Sequence, residues 1–143
     1  MAFKVIKDKG NAELTNLPVS SQSINVGDLL ELANGATTWT VATSSSVYYT
    51  KKAIAAQAVT TAATSVLARE LTGFEWVAAT STNTASASHN GDTMVLTDKT
   101  AVNNTGTTST AKEVVFIQRG LGSTTTEIIG HVLVGNGLIG SAT

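Results

Sequence analysis

The sequence predicts an all-β fold: a compact β-barrel or β-sandwich of short strands, with little helix and an N-terminal arm. Three observations carry that expectation. Thr and Ser supply 37 of the 143 residues, 24 of them Thr, beside 12 Gly and a single Pro, a composition that suits strands whose polar faces are built from hydroxyls. Short apolar segments recur at intervals of about 8 to 12 residues, separated by Gly, Asn and Asp turn signals. Within several segments apolar and polar residues alternate, which turns one face of a strand inward. The hydrophobic content of 42% is enough to form a core, and a chain of this length suits one domain.

Residues 1–20 read as the arm and residues 21–143 as the body. The opening "MAFKVIKDKGNAELTNLP" mixes Lys4, Lys7 and Lys9 with Phe3, Val5 and Ile6, then breaks at Gly10-Asn11. That pattern fits an edge strand, or an arm that orders against a partner. From Ile24, "INVGDLLEL" reads as a turn feeding a strand, and its Gly-Asp pair returns in "NGDTMVL" at residues 90–96. Gly27 and Gly91 supply backbone freedom there, while Asp28 and Asp92 offer side-chain acceptors to the turn backbone. Leu30 with Leu32, and Met94 with Leu96, then point into the core.

Asn34-Gly35 marks a hairpin. "TTWTVAT" puts Trp39 and Val41 on one face, and residues 47–58 read as a strand in spite of their alanines. "SVLARELTGFEWVAAT" reads as two strands folded around Thr72-Gly73, with Phe74, Trp76 and Ala78 alternating against Glu75 and Val77. The tracts 80–90 and 103–110 hold no large apolar residue and read as exposed loops. "KEVVFIQRG" is the strongest strand, and "TEIIGHVLVGNG" is its partner across residues 120–126. The tail "LIGSAT" reads as a last short strand or a frayed end. Two Gly-Asp entries are too few for a solenoid.

Composition removes several kinds of chemistry. Without cysteine there is no disulfide framework, thiolate zinc site or cysteine nucleophile. A net charge of -1 and only 13% charged residues offer no basic surface for nucleic acid or for an anionic membrane. No apolar run reaches the length of a membrane span, and the first residues carry no signal-peptide h-region. His89 reads as a solvated loop residue, and His131 as a partly buried histidine with a backbone partner, since "IIGHVL" supplies no convergent ligands. No G-x-S-x-G elbow singles out a serine. Asp28, Glu31, Glu70, Glu75, Asp92 and Asp98 are scattered, the spacing of a calcium loop is absent, and Gly120-x-Gly122 lacks the rest of a phosphate loop. Trp39 and Trp76 read as core residues rather than a sugar-stacking platform. The expectation is a protein that is not an enzyme, with no catalytic residues, no cofactor and no metal.

The succession of "GDLLELANG", Ala/Val/Thr-rich strands and a late "IIGHVLVG" resembles the head decoration proteins of tailed bacteriophages, also called cement or auxiliary capsid proteins. The resemblance covers residues 24–135 through short apolar motifs. His131 stands where that family more often has an apolar residue, and the tracts 80–90 and 103–110 exceed a minimal version of the domain. The resemblance implies a structural protein on the outer surface of the virion head. There it would bind the major capsid protein as a homotrimer and stabilise the expanded shell against internal DNA pressure. It further implies that the arm adds a strand to a coat-protein sheet, with Phe3, Val5 and Ile6 as anchors. Two other readings stay open: a phage tail, fibre or receptor-binding β domain that recognises through the two polar tracts, and a small hydrolase or sugar-binding protein using Trp39, Trp76 or His131.

Overall fold

Alternation of side chains and the placement of turn residues divide this chain into short strands, and those strands form two antiparallel sheets. A computed structural model describes residues 2–7, 13–105 and 112–135. The strands are β1 (Phe3–Lys7), β2 (Leu14–Pro18), β3 (Leu29–Leu32), β4 (Thr40–Val41), β5 (Lys51–Ala55), β6 (Ser65–Glu70), β7 (Trp76–Thr80), β8 (Thr93–Asp98), β9 (Ala101–Asn103), β10 (Phe116–Leu121) and β11 (Glu127–Val132). One sheet has the order β1-β7-β11-β10-β8-β9 and the other β2-β6-β5-β3-β4. A single 3-10 turn at Ala87–His89 is the helical content of the described residues. The all-β, sandwich-like fold is therefore as the sequence implies.

Both sheets curl. In the five-stranded sheet the two ends approach at a parallel bridge between Val19 and Trp39. Gln22 fastens that approach by donating to Trp39 O at 2.9 Å and accepting from Val41 N–H at 2.6 Å. In the six-stranded sheet the chain leaving β7 meets β9 at a second parallel bridge, Ser81 to Val102. Neither sheet closes into a barrel.

The alternation inside β3 and β5 explains why two cores form rather than one. In β3, Leu29 turns towards the six-stranded sheet and joins Phe3, Ile54, Val77, Met94, Leu96, Phe116 and Ile128. Its neighbour Leu30 turns the opposite way and packs with Leu17, Ile24, Trp39, Ala53 and Val66. A strand buried on both faces is expected to be apolar rather than alternating, and Leu29-Leu30 at the start of β3 has that character, while Glu31 beyond them is half-buried and hydrogen-bonded. The first core joins the sheets. The second fills the curl of the five-stranded sheet.

Residues 3–7 and 14–18 are edge strands, one of the two forms expected of the opening segment: β1 pairs with β7 and β2 with β6, each at the end of its sheet. Other sequence expectations need correction. Of residues 47–58 only β5 is strand; the segment before it turns, with Thr50 Oγ1 donating to Val47 O at 3.3 Å. The segments on either side of Thr72-Gly73 are strands, but they do not pair with each other; β6 belongs to one sheet and β7 to the other. β10 and β11 do pair as expected, from Phe116↔Val132 to Leu121↔Ile128. The tail and residues 106–110 of the second polar tract lie outside the described residues.

The two sheets are tied at Gly27-Asp28. Gly27 sits at φ 91°, which its missing side chain permits. Its N–H donates to Ala55 O at 2.8 Å, its carbonyl accepts from Phe3 N–H at 3.0 Å, and Ala55 N–H returns to Asp28 O at 3.0 Å. The Asp28 carboxylate, 2% exposed, accepts from Asn25 N–H at 2.9 Å and meets Lys99 Nζ at 3.0 Å. Lys99 is 26% exposed and also donates to Ser23 O, so it keeps partners when Asp28 is removed. Asp28→Ala is therefore expected to lower the unfolding free energy by about 2 kcal/mol, the worth of the charge-assisted hydrogen bonds that the carboxylate makes. Asp92→Ala, at the more exposed second Gly-Asp pair, should lower it by less than about 1 kcal/mol. Urea denaturation of both variants, compared at unchanged m-value, checks the difference.

Candidate functional site

Among the residues that the sequence marks for partner binding, β1 presents its side chains unequally. Phe3 is fully buried in the first core. It therefore anchors β1 to the body of its own chain and is not offered to a partner, which corrects its expected role. Val5 is half-buried and Ile6 is 46% exposed. β1 is the terminal strand of its sheet. Beside it an open groove of about 320 Å³ runs between the sheets, lined by Lys4, Val5, Leu14, Val26, Ala56 and Arg69 among others. Leu14 and Val26 are exposed apolar residues on this groove that the sequence did not single out.

The two tryptophans separate. Trp39 is a core residue, as expected. Trp76 is not: it lies half-buried on the outer face of the six-stranded sheet, because Val77 and Ala79 take the inward positions of β7. Its ring lies against His131 from the neighbouring β11, with centroids 4.5 Å apart and planes tilted by 51°. His131 Nδ1 is 3.0 Å from Glu75 O. A carbonyl only accepts, so Nδ1 carries the proton in the neutral ring and Nε2 is left as an acceptor. The expected backbone partner of His131 is thus present.

Beside this pair stands Phe74, 73% exposed. Its position follows from the turn that holds it. Gly73 has φ 95°, and the buried Glu75 carboxylate accepts from Thr72 N–H at 2.9 and 3.0 Å and from Gly73 N–H at 3.0 Å. Glu75 turns inward, so Phe74 must turn outward. Gly73, Phe74, Trp76, Ile117, Arg119, His131 and Leu133 line an open depression of about 480 Å³. The sequence places Phe74 on one strand face with Trp76 but marks neither Phe74 nor Arg119 as a site residue. The available signal was a bulky aromatic directly after a turn glycine, a position where burial is hard to arrange.

Two further clusters carry charge. His89 Nδ1 lies 3.2 Å from Asp92 Oδ2 at the end of the 3-10 turn, a side-chain contact, whereas Asp28 also accepts from the backbone N–H of Asn25. Asp98 is held below the usual carboxylate range by the Thr100 hydroxyl and then by the Thr100 N–H, which donate to Oδ1 at 2.5 and 2.7 Å. Among the described residues no three His, Asp or Glu side chains gather into a metal-binding group.

Lys52 is the unexpected titratable group. It is fully buried, on the face of β5 that looks towards the six-stranded sheet, and its ammonium donates to Val47 O at 2.7 Å, Thr50 O at 3.0 Å and Leu133 O at 3.1 Å. Glu31, its partner in the β3–β5 register, accepts from Ser46 Oγ and from Thr50 Oγ1. Burial pushes the Lys52 pKa down to about 8, against an opposing pull from Glu31. With no solvent access this amine is a structural pin joining the 47–50 segment to the end of β11.

No protein-family model, curated protein or solved structure matches this chain.

The lowered Lys52 pKa has a defined sign in the stability of the fold. Between pH 8 and 10.5 the unfolded chain holds a proton that the native chain has released, so stability rises with pH across that window. Below pH 8 the cost of keeping Lys52 charged is fully present, about 3 kcal/mol for a shift of this size. The unfolding free energy of the wild type, measured against Lys52→Met, is therefore expected to climb by up to about 3 kcal/mol from pH 8 to 10.5. Parallel pH profiles of the two proteins in urea denaturation contradict the lowered Lys52 pKa.

Proposed function

We propose that this protein is a structural capsid decoration protein, bound as a homotrimer to the major capsid protein on the outside of an expanded phage head, which it stabilises against internal DNA pressure. One observation carries the proposal: an exposed apolar seam at the terminal strand β1, where Leu14 and Val26, 50% and 41% exposed, line an open groove with Val5, and Ile6 stands 46% exposed on the strand itself. An edge strand beside an apolar groove suits β-augmentation, in which backbone bonds give affinity and alternate side chains give register. The resemblance of "GDLLELANG" and "IIGHVLVG" to decoration proteins supplies the kind of partner. In this proposal Val5 and Ile6 act as anchors, joined by Leu14 and Val26, while Phe3 holds β1 in place from within. A ligand that binds only the assembled, expanded shell stabilises it by mass action, and three linked copies multiply weak contacts. The protein acts by linkage, without a catalytic step.

A phage tail, fibre or receptor-binding β domain is the second reading. The exposed Phe74 and the Trp76–His131 face favour it, because a large unpartnered aromatic surface marks recognition.

Purified protein mixed with expanded capsids and with procapsids from the same phage tests the first reading. The expected result is saturable binding to expanded capsids alone, with a gain in their heat resistance. Ile6→Asp combined with Leu14→Asp should weaken that binding by about tenfold or more, because each charge must be buried in an apolar contact. Substitution is the informative route, since deleting the first residues also removes Phe3 from the core. Absence of binding, or of any thermal gain, sinks the decoration reading. Undiminished binding by a folded double variant removes the β1 seam from it.

A further inference from the structure

We infer that the depression formed by Phe74, Trp76, Arg119 and His131 is a binding site for an acidic saccharide, a pyranose bearing a carboxylate. It lies on the outer face of the six-stranded sheet, on residues other than those of the β1 groove, and does not depend on the capsid reading.

Shape and chemistry converge on that class. The depression is about 480 Å³ and open, within the range of small-ligand sites and large enough for one or two sugar rings. Its floor is the half-buried indole of Trp76 against the His131 ring, and Phe74 rises beside them at 73% exposure. Aromatic faces with this degree of exposure suit the C–H face of a pyranose, which is apolar while its rim of hydroxyls remains polar. The hydroxyls have a partner as well: with Nδ1 committed to Glu75 O at 3.0 Å, Nε2 of the neutral His131 ring can accept a hydrogen bond from a hydroxyl.

Charge selects an acid among saccharides. Arg119 is exposed on β10 and is the formally charged residue among those lining the depression. Glu75, the nearest acid in sequence, is turned into the protein and engaged by Thr72 and Gly73 backbone N–H groups, so it does not oppose an anion at the surface. A guanidinium presents paired donors that match a carboxylate in plane. The turn that sets Phe74 is itself fixed by the Glu75 hydrogen bonds, so the backbone carrying the aromatic wall needs no ordering when a ligand arrives.

Titration of the full chain with digalacturonate and with sialyllactose, with lactose as the neutral control, tests the inference. Tryptophan fluorescence is the readout, because Trp76 is the half-exposed one of the two tryptophans and Trp39 is buried. The expected result is a saturable change with an acidic probe at about millimolar concentration, with lactose about tenfold weaker. Arg119→Gln should weaken the acidic probe by about tenfold and leave lactose unchanged, as loss of a charge-assisted contact requires. Phe74→Ser should weaken both. Both side chains are exposed, so circular dichroism is expected to show an intact fold in each variant. No saturable response to either acid below about 10 mM would overturn the site. Equal binding of acid and lactose, or an Arg119→Gln variant that binds acids as the wild type does, overturns the acidic specificity.

Discussion

The Asp28 carboxylate is the point on which the two sheets depend. A carboxylate at 2% exposure is costly to bury unless its acceptor sites are filled. Lys99 fills one side and the Asn25 N–H another. Lys99 lies in the β8–β9 turn of the six-stranded sheet, while Asp28 leads directly into β3 of the five-stranded sheet. Satisfying this one charge therefore fixes the distance between the layers. The backbone at the same turn repeats the connection, since Gly27 bonds Phe3 of β1 on one side and Ala55 of β5 on the other. With the layers held there, Leu29 and Ile54 meet Phe3, Met94 and Phe116 in one shared core.

Lys52 performs a similar task at another edge of the interface. Its ammonium gathers carbonyls from Val47 and Thr50, beside its own sheet, and from Leu133 beyond the end of β11. Here the partners are dipoles rather than a directly bonded carboxylate, and desolvation wins over the attraction of Glu31, as the downward displacement of its pKa records. Asp28 and Lys52 thus solve the same problem with unequal success. One is a paired charge beside a turn; the other is a charge surrounded by backbone oxygens and still uncomfortable at neutral pH.

Local pattern made much of this legible. Gly27 and Gly91 both occupy the left-handed region, as their turns require, and the β10–β11 hairpin follows from "FIQRG" and "EIIGHV" alone. What local pattern could not supply was which strands share a sheet. The turn at Thr72-Gly73 has the residues of a hairpin, yet β6 and β7 diverge because Glu75 folds back onto Thr72 and Gly73, closing the turn on itself. The proposed surfaces are subject to the same limit. "FKVIK" shows an edge-strand composition, but only the packing against Leu29 and Val77 makes Phe3 internal. Trp76 looked like core because tryptophan on a strand usually is; its exposure follows from Val77 and Ala79 taking the inward places. Lys52, in "TKKAIA", gives no sign in sequence that it is buried while Lys51 is only half so.

The two proposed surfaces share β7, and that sets a geometric relation between them. β1 runs along one side of β7, with Lys7 opposite Trp76. The groove on the far side of β1 opens towards Leu14 and Arg69 of the five-stranded sheet, whereas the aromatic depression spreads across β7, β11 and β10 on the outer face. A strand docked in the groove extends the sheet in its own plane, and a ligand on the outer face approaches roughly perpendicular to that plane. Occupation of one does not require vacating the other. If both proposals hold, a partner at the β1 edge and a ligand beside Phe74, Trp76 and Arg119 would therefore be separable, because the two surfaces share no lining residue.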